Sequence, residues 1–179
     1  IDVSSLPFFY DADGSGKKTY WYEIVDQFVV KKALNIEKSR IESLIRTYSG
    51  DCEIIWEGDD VCSVLTAPER VATAMESLLL SDDVLMVGHR YMDVTTYRRM
   101  MSEGLGYPTD FYIDGNISLS FKDNVSEDIR NNVISEYKLK KHSDSTFGYY
   151  SVFETSKTSD ILNVCQRIYE TGYVNWVRS

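Results

Sequence analysis

His89, His142, the three cysteines and a few carboxylate clusters are the side chains whose spacing bears most on catalysis or metal binding. Neither histidine stands in a catalytic motif, and each is expected to be structural or on the surface. The chain has no G-x-S-x-G elbow, no H-E-x-x-H, no P-loop and no G-x-G-x-x-G opening a helix. Cys52, Cys62 and Cys165 are odd in number and lack C-x-x-C spacing, so zinc or thioredoxin chemistry is not indicated. Their expected place is the apolar interior, where free Cys is commonly found. Asp11-Ala12-Asp13-Gly14-Ser15-Gly16 is similar to the start of a calcium loop. The twelfth position holds Tyr22 where such a loop needs a bidentate Glu, so a plain turn is expected. Asp59-Asp60 and Asp82-Asp83 are adjacent acids on a turn and at a helix end, where carboxylates are ordinarily solvated. The expectation is therefore a non-enzyme, with no catalytic residues, no metal ligands and no cofactor.

The elements that must position any functional surface can be read from composition and periodicity. The 179 residues include 19 Lys+Arg against 28 Asp+Glu, a formal charge of −9. An acidic chain of this kind disfavours nucleic acid and anionic membranes as partners, since both bind through cationic surface. Hydrophobic residues make up 43% and aromatics 13%, enough to bury a core and to argue against a disordered chain. Up to Asp93 there are 17 acids and 9 bases, and afterwards 11 and 10, so the two halves present different surfaces. No apolar run is long enough for a membrane span. The sequence opens on Ile1 without an initiating Met, which fits an exported chain whose signal has been removed.

An internal repeat organises the sequence. Residues 28–36 share their layout with 117–125, and the match continues through Leu44 with Val133, Ile45 with Ile134 and Tyr48 with Tyr137. With small shifts it extends to Val84 with Val174 and Val87 with Val177. Each copy reads as strand, helix, hairpin, helix, strand. Residues 28–34 are β-branched and aromatic, as in a strand. Ile36, Ile41, Leu44, Ile45 and Tyr48 fall at helical spacing, and Gly50-Asp51 ends that helix. Residues 52–56 and 61–65 flank Gly58-Asp59-Asp60 as a hairpin. Pro68 opens a helix striped by Val71, Ala74, Met75, Leu78 and Leu79, and 84–91 is a closing strand. In the second copy Ile117, Leu119 and Phe121 alternate with polar residues. Ser126 precedes a helix, a hairpin turns around 143–148, and Gly172 caps the last helix in the left-handed conformation. The expected fold class is α+β, with two tandem ferredoxin-like (βαββαβ) domains, antiparallel sheets and helices on one face. The expected domains are 1–93 (an N-terminal hairpin plus the first repeat), a linker at 94–112, and 113–179 (the second repeat). The linker reading rests on Gly104, Gly106 and Pro108, with a short helix allowed over 91–101. Pro108, Phe111 and Tyr112 are read as a lead-in to the second repeat, parallel to Phe8-Phe9-Tyr10 before the first.

Thirteen Tyr, seven Phe and three Trp exceed what two small cores need. Such residues suit surfaces that are part apolar and part wet, as at protein interfaces, or they cover the open face of each sheet.

Ile168-Tyr169-Glu170-Thr171-Gly172-Tyr173-Val174 resembles the "YE-S/T-G" signature that closes the propeptide-like N-terminal region of secreted subtilisin-family serine peptidases from Bacteroidetes. The preceding order of elements, from about Tyr107, agrees. That resemblance implies a ferredoxin-like module, exported with a protease, that assists its folding and blocks its active site with the sheet and a C-terminal tail. The chain departs from the pattern where Asn175-Trp176-Val177-Arg178 replaces the Ala-Glu-Pro that often follows. It also lacks the Asp, His and Ser motifs of a subtilisin, so it is not expected to be the peptidase itself.

The function expected is thus a secreted, non-catalytic, protein-binding module like a subtilisin propeptide, located in the periplasm, at the cell surface or outside the cell. The partner is expected to be a protein, a subtilisin-like peptidase domain above others, met through Tyr173, Asn175, Trp176, Val177, Arg178 and Ser179. Two alternatives stand beside it. A small-molecule-binding regulatory domain pair predicts a polar pocket where the two repeats meet, and a structural spacer of a cell-surface protein predicts no such binding.

Overall fold

The computed structural model describes residues 3–11, 13–103, 110–112, 115–157 and 160–179. After a 3-10 turn at Val3–Ser5, β1 (Phe8–Tyr10) and the long β2 (Lys18–Lys32) form an antiparallel hairpin with Phe8 opposite Tyr20. The turn between them takes left-handed backbone at Gly14 and Gly16, both at φ 73°, which costs glycine little. The Asp13 carboxylate accepts the Ser15 amide at 2.9 Å and closes it locally, an Asx turn as expected for this segment.

Helix α1 (Lys38–Ser49) buries Ile41 and Ile45 and stops at Gly50, whose amide donates to the Arg46 carbonyl at 2.9 Å. Strands β3 (Glu53–Trp56) and β4 (Val61–Leu65) pair with Ile54 opposite Val64 and Trp56 opposite Cys62. Helix α2 (Pro68–Leu79) starts on its proline, where the missing N–H has no intrahelical acceptor to lose. Strand β5 (Val84–Asp93), helix α3 (Val94–Glu103) and β6 (Asp110–Tyr112) follow, β6 pairing antiparallel with β5. Then come β7 (Asn116–Phe121), α4 (Glu127–Glu136), β8 (Lys140–Asp144), β9 (Ser151–Glu154), α5 (Ile161–Glu170) and β10 (Val174–Arg178). Side chains cap the last two helices: Ser126 Oγ accepts from Ile129 N, and Asp160 Oδ1 from Asn163 N.

The architecture is mixed α+β with antiparallel pairings. One sheet runs β3-β4-β2-β5-β6, with β1 on β2, and the other runs β10-β7-β9-β8. In each half the strand preceding the helix pair lies between the third and fourth strands of its series, and the second strand lies beyond the third.

The chain divides into a unit of Tyr22–Asp114 and a unit of Ile1–Trp21 with Gly115–Ser179. These limits differ from the expected 1–93, 94–112 and 113–179. The N-terminal hairpin goes with the second repeat because Gln166 Nε2 donates to the Phe8 carbonyl at 2.9 Å and the Tyr10 and Tyr169 rings stack at 4.1 Å. The stretch expected as linker contributes α3 and β6, the latter hydrogen-bonded to β5, so Phe111 and Tyr112 extend the first sheet. Gly104, Gly106, Tyr107 and Pro108 lie outside the described residues.

In the 22–114 unit Phe28 and Val30 of β2, Cys62 and Val64 of β4, Ile41 and Ile45 of α1, and Val71, Ala74, Met75 and Leu78 of α2 form one cluster. In the other unit Ile117, Leu119, Phe153, Val174 and Val177 of the strands are buried, as are Val133 of α4 and Ile161, Leu162, Cys165 and Ile168 of α5. Each large apolar side chain buried there contributes roughly 1.5–3 kcal/mol, while exposed ion pairs contribute about 0–1, so the clusters decide the fold. Tyr48, expected on the apolar face of α1, is 40% exposed at the helix end. No helix among the described residues is long and apolar enough to cross a membrane.

Candidate functional site

Strand β10 carries most of the residues singled out by sequence, and its shape sorts them. It ends its sheet, pairing with β7 on one side, and no described strand pairs with the other. The register slips between Val174 and Trp176, a bulge that leaves Asn175 without a cross-strand partner. The Asn175 amide nitrogen instead donates to Ser120 Oγ at 3.3 Å and to the Phe121 carbonyl at 3.2 Å. Val174 and Val177 are buried on the helix side, against which α5 packs. Because side chains alternate, Trp176 and Arg178 stand on the opposite face. The Arg178 guanidinium lies 5.4 Å from the centre of the Trp176 ring, and the Tyr150 ring lies 5.3 Å from it at a tilt of 57°. Ser118, Ser120 and Val152 share that half-buried face by register.

Of the residues expected to meet a partner, Trp176 and Arg178 therefore sit together on one sheet face. Tyr173 is 39% exposed just before the strand, Asn175 marks the bulge and Ser179 is exposed beyond it. Val177 is 2% exposed and belongs to the core.

A cleft of about 480 Å³ opens beside the same bulge. It is lined by Asp13 and Gly14 from the N-terminal turn, Lys122 after β7, Tyr169 and Gly172 at the end of α5, and Val174, Asn175 and Trp176. Hydrogen bonds from Ser15, with help from the nearby Lys17, hold the Asp13 carboxyl below the usual carboxylate range. One wall is fixed, since Tyr169 is stacked on Tyr10 and the Tyr10 hydroxyl donates to Glu170 at 3.0 Å. Gly14 passes so close to the strand that a Cβ there would lie 3.4 Å from the Asn175 carbonyl oxygen. Sequence reading found the turn at Asp13 to Gly16 and the left-handed Gly172, which is at φ 76°. It did not bring Asp13, Lys122 and Tyr169 together, because only docking of the N-terminal hairpin on α5 does so.

The other chemistry-bearing groups are held by neighbours. His89 Nδ1 lies 3.0 Å from Glu23 and holds that carboxyl below its ordinary value. Arg90 is buried and bonds the Glu57 carboxylate and Ser63 Oγ, and Ser63 also donates to Glu57. His142 Nδ1 lies 3.1 Å from Glu154 on an exposed hairpin. Burial pushes the Cys62 thiol up to about 12 and raises Cys165 and Cys52 as well, which leaves little thiolate at neutral pH. Among the described residues no three His, Cys, Asp or Glu side chains gather to hold a metal ion.

No family model matches the chain, and no curated protein matches it. Among solved structures, the C. elegans NONO-1 homodimer aligns with 82% of this chain and 54% of its own, at 12% identity and a TM-score of 0.28. The chain thus spans about half the length of that one. Nothing about the site follows from a likeness so slight.

Proposed function

We propose that the chain is a non-catalytic, exported protein-binding module of two ferredoxin-like units, and that it engages a subtilisin-like peptidase in the manner of a propeptide or inhibitor. The observation that carries this reading is the position of β10 at the end of its sheet with Trp176 and Arg178 on the face away from the helices. β1 and the N-terminal turn lie beside part of this strand; along the rest of the edge an extended segment of a partner can add through main-chain hydrogen bonds, while the adjoining aromatic face supplies selective contact. Trp and Arg are among the residues that dominate binding energy at interfaces. The strand order supports ferredoxin-like units, since each helix pair is flanked by strands in the order fourth, first, third, second. By contrast the opposite edge, β8, is charged with Lys140 and Lys141 and fully exposed, which discourages strand addition there.

Titration of the whole chain against a panel of subtilisin-like peptidases tests the reading. A complex at micromolar concentration with loss of peptidase activity is the expected result, weakened by Trp176→Ala and Arg178→Ala. Absence of both complex and inhibition across the panel would reject it. A second reading, recognition of a small molecule, is favoured by the cleft beside β10.

A further inference from the structure

We infer that the cleft beside the β10 bulge binds a small zwitterion such as a free amino acid, its ammonium on the Asp13 carboxylate and its carboxylate on the Lys122 ammonium. The two charges come from different elements, the N-terminal turn and the end of β7, and both line the same space. No ion pair joins them among the described residues, so each retains capacity for a ligand. A ligand bearing both charges satisfies both groups, a singly charged one leaves its like charge opposed, and a neutral sugar gains hydrogen bonds but no charge pair. The volume of about 480 Å³ falls within the range of roughly 300–1,000 Å³ usual for small-molecule sites.

The site is also ordered before any ligand arrives. Asp13 is oriented by the Ser15 amide at 2.9 Å, and Tyr169 is clamped by its stack on Tyr10. The Asn175 side chain is fixed by its amide N–H groups, which donate to Ser120 and Phe121. Tyr169 and Trp176 offer apolar surface for the ligand side chain. Groups fixed in place lose less freedom on binding, so more of each charged contact appears as affinity.

The experiment is calorimetric titration of the whole chain with leucine and phenylalanine, with their N-acetyl and amide derivatives, and with glucose. Free amino acids should bind saturably, and blocking either terminus should weaken binding roughly ten- to a hundredfold, the value of one charge-assisted contact. Asp13→Asn should abolish the penalty for acetylation but keep that for amidation, and Lys122→Gln should do the reverse. Both positions lie on the surface, so far-UV circular dichroism of the variants should match the parent. The inference is overturned if no free amino acid binds at millimolar concentration, if blocked derivatives or glucose bind as well as the free forms, or if neither substitution changes the pattern.

Discussion

Alkylation of the cysteines in the native protein tests the buried position of β4 in the 22–114 unit. Cys62 lies on β4 opposite Val30 and Trp56, with no exposed surface, in the cluster beneath α1 and α2. Burial raises its thiol from the ordinary 9.0 to about 12. That difference cuts the thiolate population at pH 8 by about a thousandfold, because each step of one in pKa is a factor of ten. Since the thiolate is the nucleophile and Cys62 has no exposed surface, it should react with iodoacetamide far more slowly than a free thiol. Cys165, 2% exposed on α5, should be protected in the same way. Cys52 is only half-buried, and nearby Arg46 opposes the upward push of burial, so it should be labelled first. Mass spectrometry of peptides after timed labelling, with and without denaturant, reads all three sites. Both faces of β4 are buried, Val61 and Ser63 as well as Cys62 and Val64, so protection of Cys62 reports burial of the whole strand. Labelling of Cys62 as fast as Cys52 in the native state would therefore refute the placement of β4.

Neighbouring residues of β10 should separate stability from binding. Val177→Ala removes two buried methyl groups at ~0.8 kcal/mol each plus a small cavity, about 2 kcal/mol of stability in urea titrations. Trp176→Ala should instead weaken the peptidase complex by about 2 kcal/mol or more, some thirtyfold in Kd. Glu23 ionises more readily in the folded chain than unfolded, so its pair with His89 adds stability above the unfolded carboxylate pKa and loses it as pH falls through the folded value. The pair is partly exposed, so Glu23→Gln should cost under about 1 kcal/mol at pH 6, and the gap from the parent in urea midpoint should narrow as the pH falls below the ordinary carboxylate range. Ser126→Ala and Asp160→Ala should each cost about 1 kcal/mol by removing a helix cap. The N-cap residue of α2 is Ala67, which supplies no side-chain cap, so Ala67→Ser should raise the melting temperature.

Local signals in the sequence located most elements. Pro68 presets helical φ at the start of α2, while Gly50 at the end of α1 and Gly172 after α5 take left-handed backbone that other residues adopt poorly, and each stands where its chemistry places it. The alternation of Ile117 and Leu119 with serines fixed which face of β7 is buried. What the sequence hid is long-range. The N-terminal hairpin looks like a lead-in to the first repeat because it precedes it, yet its contacts run to Gln166, Tyr169 and Glu170. Val177 is apolar in a segment read as a contact tail, and only the bulge at Asn175 decides that it points inward while Trp176 points out. Bulges leave no composition signal, so the sorting of β10 was out of reach.

Asn175 and Trp176 serve both proposals, which makes the proposals thermodynamically dependent. A zwitterion in the cleft contacts the bulge, and a partner strand on the β10 edge uses the backbone of the same residues. If the two bind the same arrangement of the bulge, each raises the affinity of the other; if they require different arrangements, each lowers it. Linkage requires the two factors to be equal. Peptidase affinity measured with and without saturating leucine must therefore change by the same ratio as leucine affinity measured with and without peptidase. Lys122→Gln should remove the first change without touching the edge itself, since Lys122 follows β7 and lies outside β10. A shared ratio different from one, lost in that variant, would tie the cleft to the edge strand. A ratio of one in both titrations would mean that cleft and edge bind independently.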